Sequence, residues 1–265
     1  MVVLGHEERS LERDAWAEWL EQGAAGHARG VPRFASVRRP PIGFAHRGAR
    51  AHAADNTLEA FRLALRLGAT GLETDAWSSA DGQAVLDHDG VVGGRMRRRP
   101  IAAHRRDELP GHLVTLAELY ADCGTDFELS VDVKDEAVAA ELVASARDVG
   151  AEERLWLCHP DWELAATWRA LSPSVKLVDS TRLKRMEGGA ERHVARAAAA
   201  GLDAVNLHHS DWTGGLVALV HRFEMLALGW DVQFDRTIDN LLDTGIDGVF
   251  SDHVDRMMAR IHARA

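Results

Sequence analysis

Residues Gly43 to Asp89 read GFAHRGARAHAADNTLEAFRLALRLGATGLETDAWSSADGQAVLDHD. The segment Ile42 to His46 has the short apolar run of a strand. Asn56 followed by Glu59 gives a variant capping box, and Leu58, Phe61, Ala64 and Leu65 form one apolar stripe, so a helix is expected from about Thr57 to Leu67. Gly71 to Trp77 reads as a second strand. Asp81-Gly82 then signals a turn, after which Ala84 to His88 can return antiparallel. A turn centred between Asp81 and Gly82 would set His88 opposite Asp75. The stretch holds His46, Arg47, Glu73, Asp75 and His88: two imidazoles, a fixed cation and two carboxylates spaced i, i+2. Those are the groups that metal-assisted attack on a phosphate ester requires.

Downstream, the alternation begun here continues. Strands are expected at Phe127 to Val133, Arg154 to Cys158, Val175 to Val178, Ala204 to Leu207, Met225 to Trp230 and Gly248 to Phe250. Helices are expected around Asp135 to Ala146, Asp161 to Leu171, Glu191 to Ala200, Gly215 to Arg222 and Ile238 to Leu242, with a closing helix after Asp252. Setting the hairpin arm aside, about eight strands alternate with helices, the pattern of an α/β fold closed as a (β/α)8 TIM barrel. Residues 90–112 lack periodicity, carry Arg95, Arg97, Arg98 and Arg99, and read as a small insertion over one mouth; the arginine run is taken as a solvated loop. Upstream, Leu11, Ala15, Trp16, Trp19 and Leu20 share one helical face, and residues 31–41 are a proline- and arginine-rich connector. The expected organisation is therefore an N-terminal helix and linker over 1–41, packed on a barrel over 42–265.

Active sites of this fold lie where strands end and loops begin. In order, the strand ends carry His46 and Arg47, Glu73 and Asp75, Asp132 and Lys134, His159, Asp179, His208, Trp230 with Asp231, and Asp252. Asp132 and Lys134 share a face by period two, which adds a third carboxylate and a second cation to the site. Asp55, Asn56 and Ser251 are read as helix caps, Trp77 by parity as a pocket residue, and His159, His208, His209 and Asp211 as candidates to shape a leaving-group pocket. Trp16, Trp19, Trp156, Trp162, Trp168 and Trp212 are expected to pack. His52, His104 and His112 are expected at the surface.

Composition narrows the class. The chain has 265 residues, 46% of them hydrophobic, enough for one large core. A formal net charge of -10 argues against a nucleic-acid partner. Cys123 and Cys158 are isolated thiols without disulfide or zinc spacing, which fits a reducing, cytoplasmic setting. No secretion signal or transmembrane segment is expected.

The ordered set of HRG at 46–48, DNTLEAF at 55–61, ETD at 73–75, DG at 81–82 and HD at 88–89 resembles the glycerophosphodiester phosphodiesterases. VTLAELY at 114–120, SVDVK at 130–134, Trp230 and GIDGVFSD at 245–252 extend the resemblance to the C-terminus. It implies that Glu73, Asp75 and Asp132 bind one divalent cation, magnesium or calcium, with manganese as a further option. It also implies that His46 and His88 form the acid/base pair, taken as base and acid respectively. Arg47 and Lys134 would hold phosphate oxygens, and Trp230 would be the family's late active-site tryptophan. The family usually has Glu where this chain has Asp55 and Asp132, and the shorter side chain at Asp132 bears directly on the ion. The implied activity is hydrolysis of a glycerophosphodiester to an alcohol and glycerol 3-phosphate. Alternatives are lysophospholipase D-type cleavage, formation of a cyclic phosphate, a catalytically decayed phosphodiester-binding protein, and metal-assisted enolisation on the same fold.

Overall fold

The computed structural model describes residues 35–94 and 98–264. The expected N-terminal helix, Arg95 and Arg97 lie outside those residues. Eight parallel strands, β1 (Ile42–Ala45), β2 (Gly71–Ser78), β6 (Glu128–Val133), β7 (Leu155–His159), β8 (Lys176–Thr181), β9 (Ala204–His208), β10 (Leu226–Trp230) and β11 (Gly248–Ser251), close a ring in which β1 pairs with both β11 and β2. Helices α1 (Leu58–Arg66), α3 (Ala139–Asp148), α4 (Trp162–Thr167), α5 (Ala190–Ala199), α6 (Gly214–Arg222), α7 (Asp235–Asp243) and α8 (Val254–His262) follow successive strands, and α2 (Leu116–Cys123) leads into β6. This is the expected (β/α)8 barrel.

Strand parity divides the side chains between two cores. Ile42, Phe44, Trp156, Cys158, Val178, Ala204, Leu228 and Phe250 point inward and fill the barrel. Phe44 stacks on Phe250 at 4.5 Å and meets Trp156 edge-on at 6.0 Å. The alternate residues pack under the helices as one continuous shell. Gly71 permits the closure: a Cβ there would lie 2.5 Å from the Phe44 ring. Continuing the inward rows by two residues passes from apolar to polar at two strands, from Phe44 to His46 and Phe250 to Asp252, and from Leu228 to the cavity-lining Trp230 at a third. The barrel floor therefore positions the polar mouth.

Two local expectations are corrected. Helix α1 is capped by Thr57, whose Oγ1 accepts from Ala60 N at 3.2 Å. Asn56 instead adopts a left-handed φ of 53° and its Oδ1 accepts from the Thr74 hydroxyl at 2.8 Å. The hairpin register also differs by one residue. Strand β3 (Ala84–Leu86) pairs Ala76 with Leu86, Trp77 with Val85 and Ser78 with Ala84. Ser79 N donates to Gln83 O at 3.0 Å, enclosing Ala80, Asp81 and Gly82, with Gly82 at φ 82°. A three-residue loop ending in a left-handed glycine replaces the expected two-residue turn, and the partner of Asp75 becomes Asp87, whose N–H donates to Asp75 O at 3.0 Å.

The insertion forms a two-stranded ribbon of β4 (Val91–Val92) and β5 (Arg99–Pro100), followed by short 3-10 turns. Ile101, Leu109 and Leu113 bury Val85 and Trp77. Gly90 lets the loop pass over the Trp77 indole, where a Cβ would lie 2.3 Å from the ring. Trp77 is therefore a packing residue of this flank.

Candidate active site

At the C-terminal mouth, the β1 turn is held in an uncommon conformation. Arg47 has φ 50°, and Gly48 follows at φ 79°, where a Cβ would meet the Ala60 backbone at 2.7 Å. The bend aims the Arg47 N–H at Glu73 Oε2, 2.9 Å away. The Arg47 side chain turns over the same cleft, with Nε 3.3 Å from Asp75 Oδ2 and Nη1 3.2 Å from Asp55 Oδ2. Asp55 thus orients Arg47 and does not cap α1.

Glu73 and Asp75 rise on β2, and Asp132 stands beside Asp75 on the adjacent β6. One oxygen from each of the three carboxylates lies within 4.8 Å of the others. Lys134 Nζ joins them, 2.9 Å from Asp75 and 3.0 Å from Asp132. Burial disfavours its charged form, but Asp132 and Asp75 outweigh that and hold its pKa above the lysine range. Glu73 is fully enclosed: burial pushes its pKa up to about 8, opposed by His46 and reinforced by Asp75 and Asp132. Asp75 Oδ2 is buried without a hydrogen bond, facing the Arg47 ion pair. An all-oxygen cluster with crowded negative charge suits a hard divalent cation.

His46 lines this cleft with Nε2 3.8 Å from Glu73 Oε2 and Nδ1 2.6 Å from Asp252 Oδ1. Burial disfavours the imidazolium, yet Glu73 and the Asp252 hydrogen bond prevail and raise its pKa. Burial likewise opposes the Asp252 charge, but His46 and Arg50 bring its pKa below the usual carboxylate range. Arg50 Nη1 completes the group at 3.2 Å from Asp252 Oδ2.

These residues border a cavity of about 510 Å3, within the range of roughly 300–1,000 Å3 common for small-molecule sites. His46, Arg47, Glu73, Asp132 and Trp230 all line it. Trp230 meets the edge of His208 at 4.7 Å and lies under the Arg182 guanidinium at 5.6 Å. His88 is placed differently: it sits one residue past Asp87, half-exposed, with Nδ1 2.9 Å from Asp89 Oδ1, and it is absent from the described lining. Trp77 is absent from that lining too.

Sequence reasoning did not assign Asp252 to His46, nor Arg50, Arg182, Lys184 and Arg185 to the site. For Asp252 the signal was available, since it continues the inward row of β11 two residues past Phe250. The three residues after β8 were obscured because that strand runs to Thr181, three residues beyond its expected end.

A (β/α)8 barrel thus carries at its C-terminal mouth three carboxylates that could hold a metal ion, with a histidine and two cations beside them. The chain belongs to the glycerophosphoryl diester phosphodiesterase family, whose sequence model matches residues 46–256. Among curated relatives, it is 37% identical over 114 residues to glycerophosphodiester phosphodiesterase 1 of Bos taurus, covering 36% of this chain and 34% of that protein. The chain thus spans about a third of the length of the animal relatives it matches. With glycerophosphodiester phosphodiesterase of Bacillus altitudinis it shares 23% identity over 235 residues, 80% of this chain and 95% of that one. Its fold is shared with glycerophosphodiester phosphodiesterase of Thermotoga maritima, at a TM-score of 0.72 and 22% identity over 83% of this chain and 97% of the other. An Oleispira antarctica phosphodiesterase in complex with the product sn-glycerol-3-phosphate matches at a TM-score of 0.71 and 20% identity, covering 84% and 97% of the two chains. Among the described residues, no helix is long and apolar enough to cross a membrane.

Proposed function

We propose that the protein hydrolyses glycerophosphodiesters to an alcohol and glycerol 3-phosphate, using one magnesium or calcium ion held by Glu73, Asp75 and Asp132. The observation that carries this reading is the convergence of those three carboxylates within 4.8 Å of one another, with Glu73 and Asp132 lining one cavity beside His46 and Arg47. A bound divalent cation supplies charge that neutralises a phosphate oxygen and eases the approach of a nucleophile. Arg47 and Lys134 bind the remaining phosphate oxygens, and release of Lys134 from Asp75 and Asp132 supplies a cation to the diester. His46 takes a proton at Nε2 from the attacking water, while Asp252 fixes its tautomer through Nδ1 and stabilises the imidazolium that forms. His88 is assigned the return of a proton to the leaving alkoxide on the family resemblance; its side chain pairs with Asp89, one residue beyond the backbone bond from Asp87 N to Asp75 O. Trp230 walls the cavity beside the scissile group.

Trp230 and Phe250 are the only apolar side chains among the described residues that line the cavity, which favours a soluble diester over the acyl chain of a lysophospholipid. The test is hydrolysis of glycerophosphocholine, glycerophosphoinositol and a lysophospholipid by metal-stripped protein repleted with magnesium, calcium or manganese, followed by phosphorus NMR. Metal-restored release of glycerol 3-phosphate is expected, and a cyclic phosphate would instead make a substrate hydroxyl the nucleophile. His46→Ala and His88→Ala should each lower turnover by about 10²- to 10⁴-fold while retaining metal affinity; near wild-type rates would remove that residue from the mechanism. A folded protein that binds metal yet cleaves no diester would make this a binding protein.

A further inference from the structure

The β8 side of the cavity carries a charge pattern that the hydrolytic chemistry does not use. Directly after β8, Arg182, Lys184 and Arg185 all reach the cavity from one turn. Arg182 is fixed, with Nε 2.6 Å and Nη2 3.2 Å from Asp211, and its guanidinium occupies one face of Trp230. Lys184 and Arg185 are exposed and have no ion-pair partner among the described residues. The acidic neighbour on this side, Asp231, is engaged by His208 Nε2 at 3.2 Å and Gln233 Nε2 at 3.3 Å. With Arg182 balanced by Asp211, two uncommitted cations face the cavity here beside that one engaged carboxylate, the other lining carboxylates, Glu73, Asp132 and Asp252, belonging to β2, β6 and the loop after β11.

Such a wall disfavours a cationic alcohol. Quaternary ammonium groups are bound by open aromatic faces, whereas here Arg182 already covers Trp230 and like charge repels the ligand. An anionic group extending from the diester would instead meet two cations at the rim of a partly desolvated cleft. We propose that Lys184 and Arg185 are specificity-determining residues that select diesters whose second alcohol carries a further negative charge, such as a phosphorylated polyol. The inference rests on the diester-binding reading of the site, and it names the substrate class.

The matched probes are glycerophosphoinositol and glycerophosphoinositol 4-phosphate, which differ only by one phosphate. Full-length protein with its activating ion should show a kcat/KM about tenfold higher for the phosphorylated ligand, the size expected from two partly exposed charge pairs. The preference should weaken as salt rises. In Lys184→Glu/Arg185→Glu, whose replaced side chains are exposed on a turn, the ratio should fall to one or below. Binding of the same pair to His46→Ala, measured by calorimetry, reads the preference without turnover. Tighter binding of the phosphorylated ligand with no hydrolysis of any diester would sink the enzymatic reading and leave this one standing. Lysophosphatidylinositol and its 4-phosphate form a second pair, and a preference confined to that pair would make the ligand a lipid headgroup. Equal handling within both pairs, faster cleavage of glycerophosphocholine, or a preference that survives in the double variant would overturn the proposal.

Discussion

His46 Nδ1 lies 2.6 Å from Asp252 Oδ1, joining the loop after the first barrel strand to the loop after the last. The contact exists because β1 and β11 are neighbours in the closed ring, with Ala45 level with Ser251. In the proposed mechanism Asp252 acts through His46 as a positioning residue, and Asp252→Asn tests it. The substitution keeps the shape but removes the charge that helps raise the His46 pKa. Turnover should fall by about 10²-fold, and the acid limb of the rate profile should move to lower pH, because a less basic imidazole deprotonates earlier. Metal affinity, measured by calorimetry, should hold. An unchanged pH profile would show that Asp252 does not tune His46.

Glu73 predicts a linkage between pH, stability and metal. Its pKa stands at about 8, raised chiefly by burial from an ordinary value of 4.5. Between those values the folded metal-free protein retains a proton that the unfolded chain has released, so its stability declines as pH rises through that window. A cation competes with the proton for the same carboxylate. The rise in Tm produced by saturating magnesium or calcium should therefore grow from pH 5 to about 8 and then level off. Thermal unfolding with and without the ion measures it; a metal-induced shift that is constant across this range would contradict the protonated state of Glu73.

How far this site was legible depended on whether its parts were local. Glu73 with Asp75, and Asp132 with Lys134, could be set on common faces from parity, since two residues of spacing on a strand fix a face, and the closed ring sets β2 against β6; their roles came from the family resemblance. His88 could not be placed in this way. Its register turned on whether the loop after Ser79 held two or three residues, a choice made by Gly82 in the left-handed region and invisible in the Asp-Gly pair itself. The helix Leu116–Cys123 was missed although Thr115 and Glu118 form a reciprocal capping box, because its single buried face is short and follows an aperiodic insertion. Arg50 was unassigned for a different reason: its partner Asp252 meets it only after the barrel has closed, whereas Asp55, read as a helix cap, turns to Arg47 within the same loop because Thr57 takes the cap.

Lys134 separates affinity from catalysis. Its ammonium sits 2.9 Å from Asp75 and 3.0 Å from Asp132, so in the absence of substrate its charge competes with a cation for the same carboxylates. Lys134→Met removes that competitor while keeping most of the aliphatic volume. Magnesium or calcium should bind more tightly, by about tenfold or more, while turnover falls by at least about 10²-fold, because the diester loses a cationic partner. Weaker metal binding together with lower turnover would assign Lys134 to holding the carboxylates in place and not to the phosphate.

Asp247 tests the opposite end of the barrel, where stability and chemistry should part. It is wholly buried just before β11. Its Oδ1 accepts from Ser36 Oγ at 2.7 Å, Val37 N at 3.0 Å and Arg38 N at 3.3 Å, and its Oδ2 lies 2.7 Å from His221 Nε2 and accepts from Ala227 N at 2.8 Å. One carboxylate thus fastens the connector segment, α6 and β10 together. Asp247→Ala strips all five groups of their acceptor, and losing one partner of a buried, hydrogen-bonded pair costs about 3–5 kcal/mol. For a domain of this size that corresponds to a fall in Tm of roughly 10 °C or more. Since the catalytic mouth is built at the other ends of the strands, kcat measured well below the transition should stay close to wild type. A variant with unchanged Tm would mean that water replaces the carboxylate at every donor, and a variant with intact Tm but lost activity would show the two ends of the barrel to be coupled.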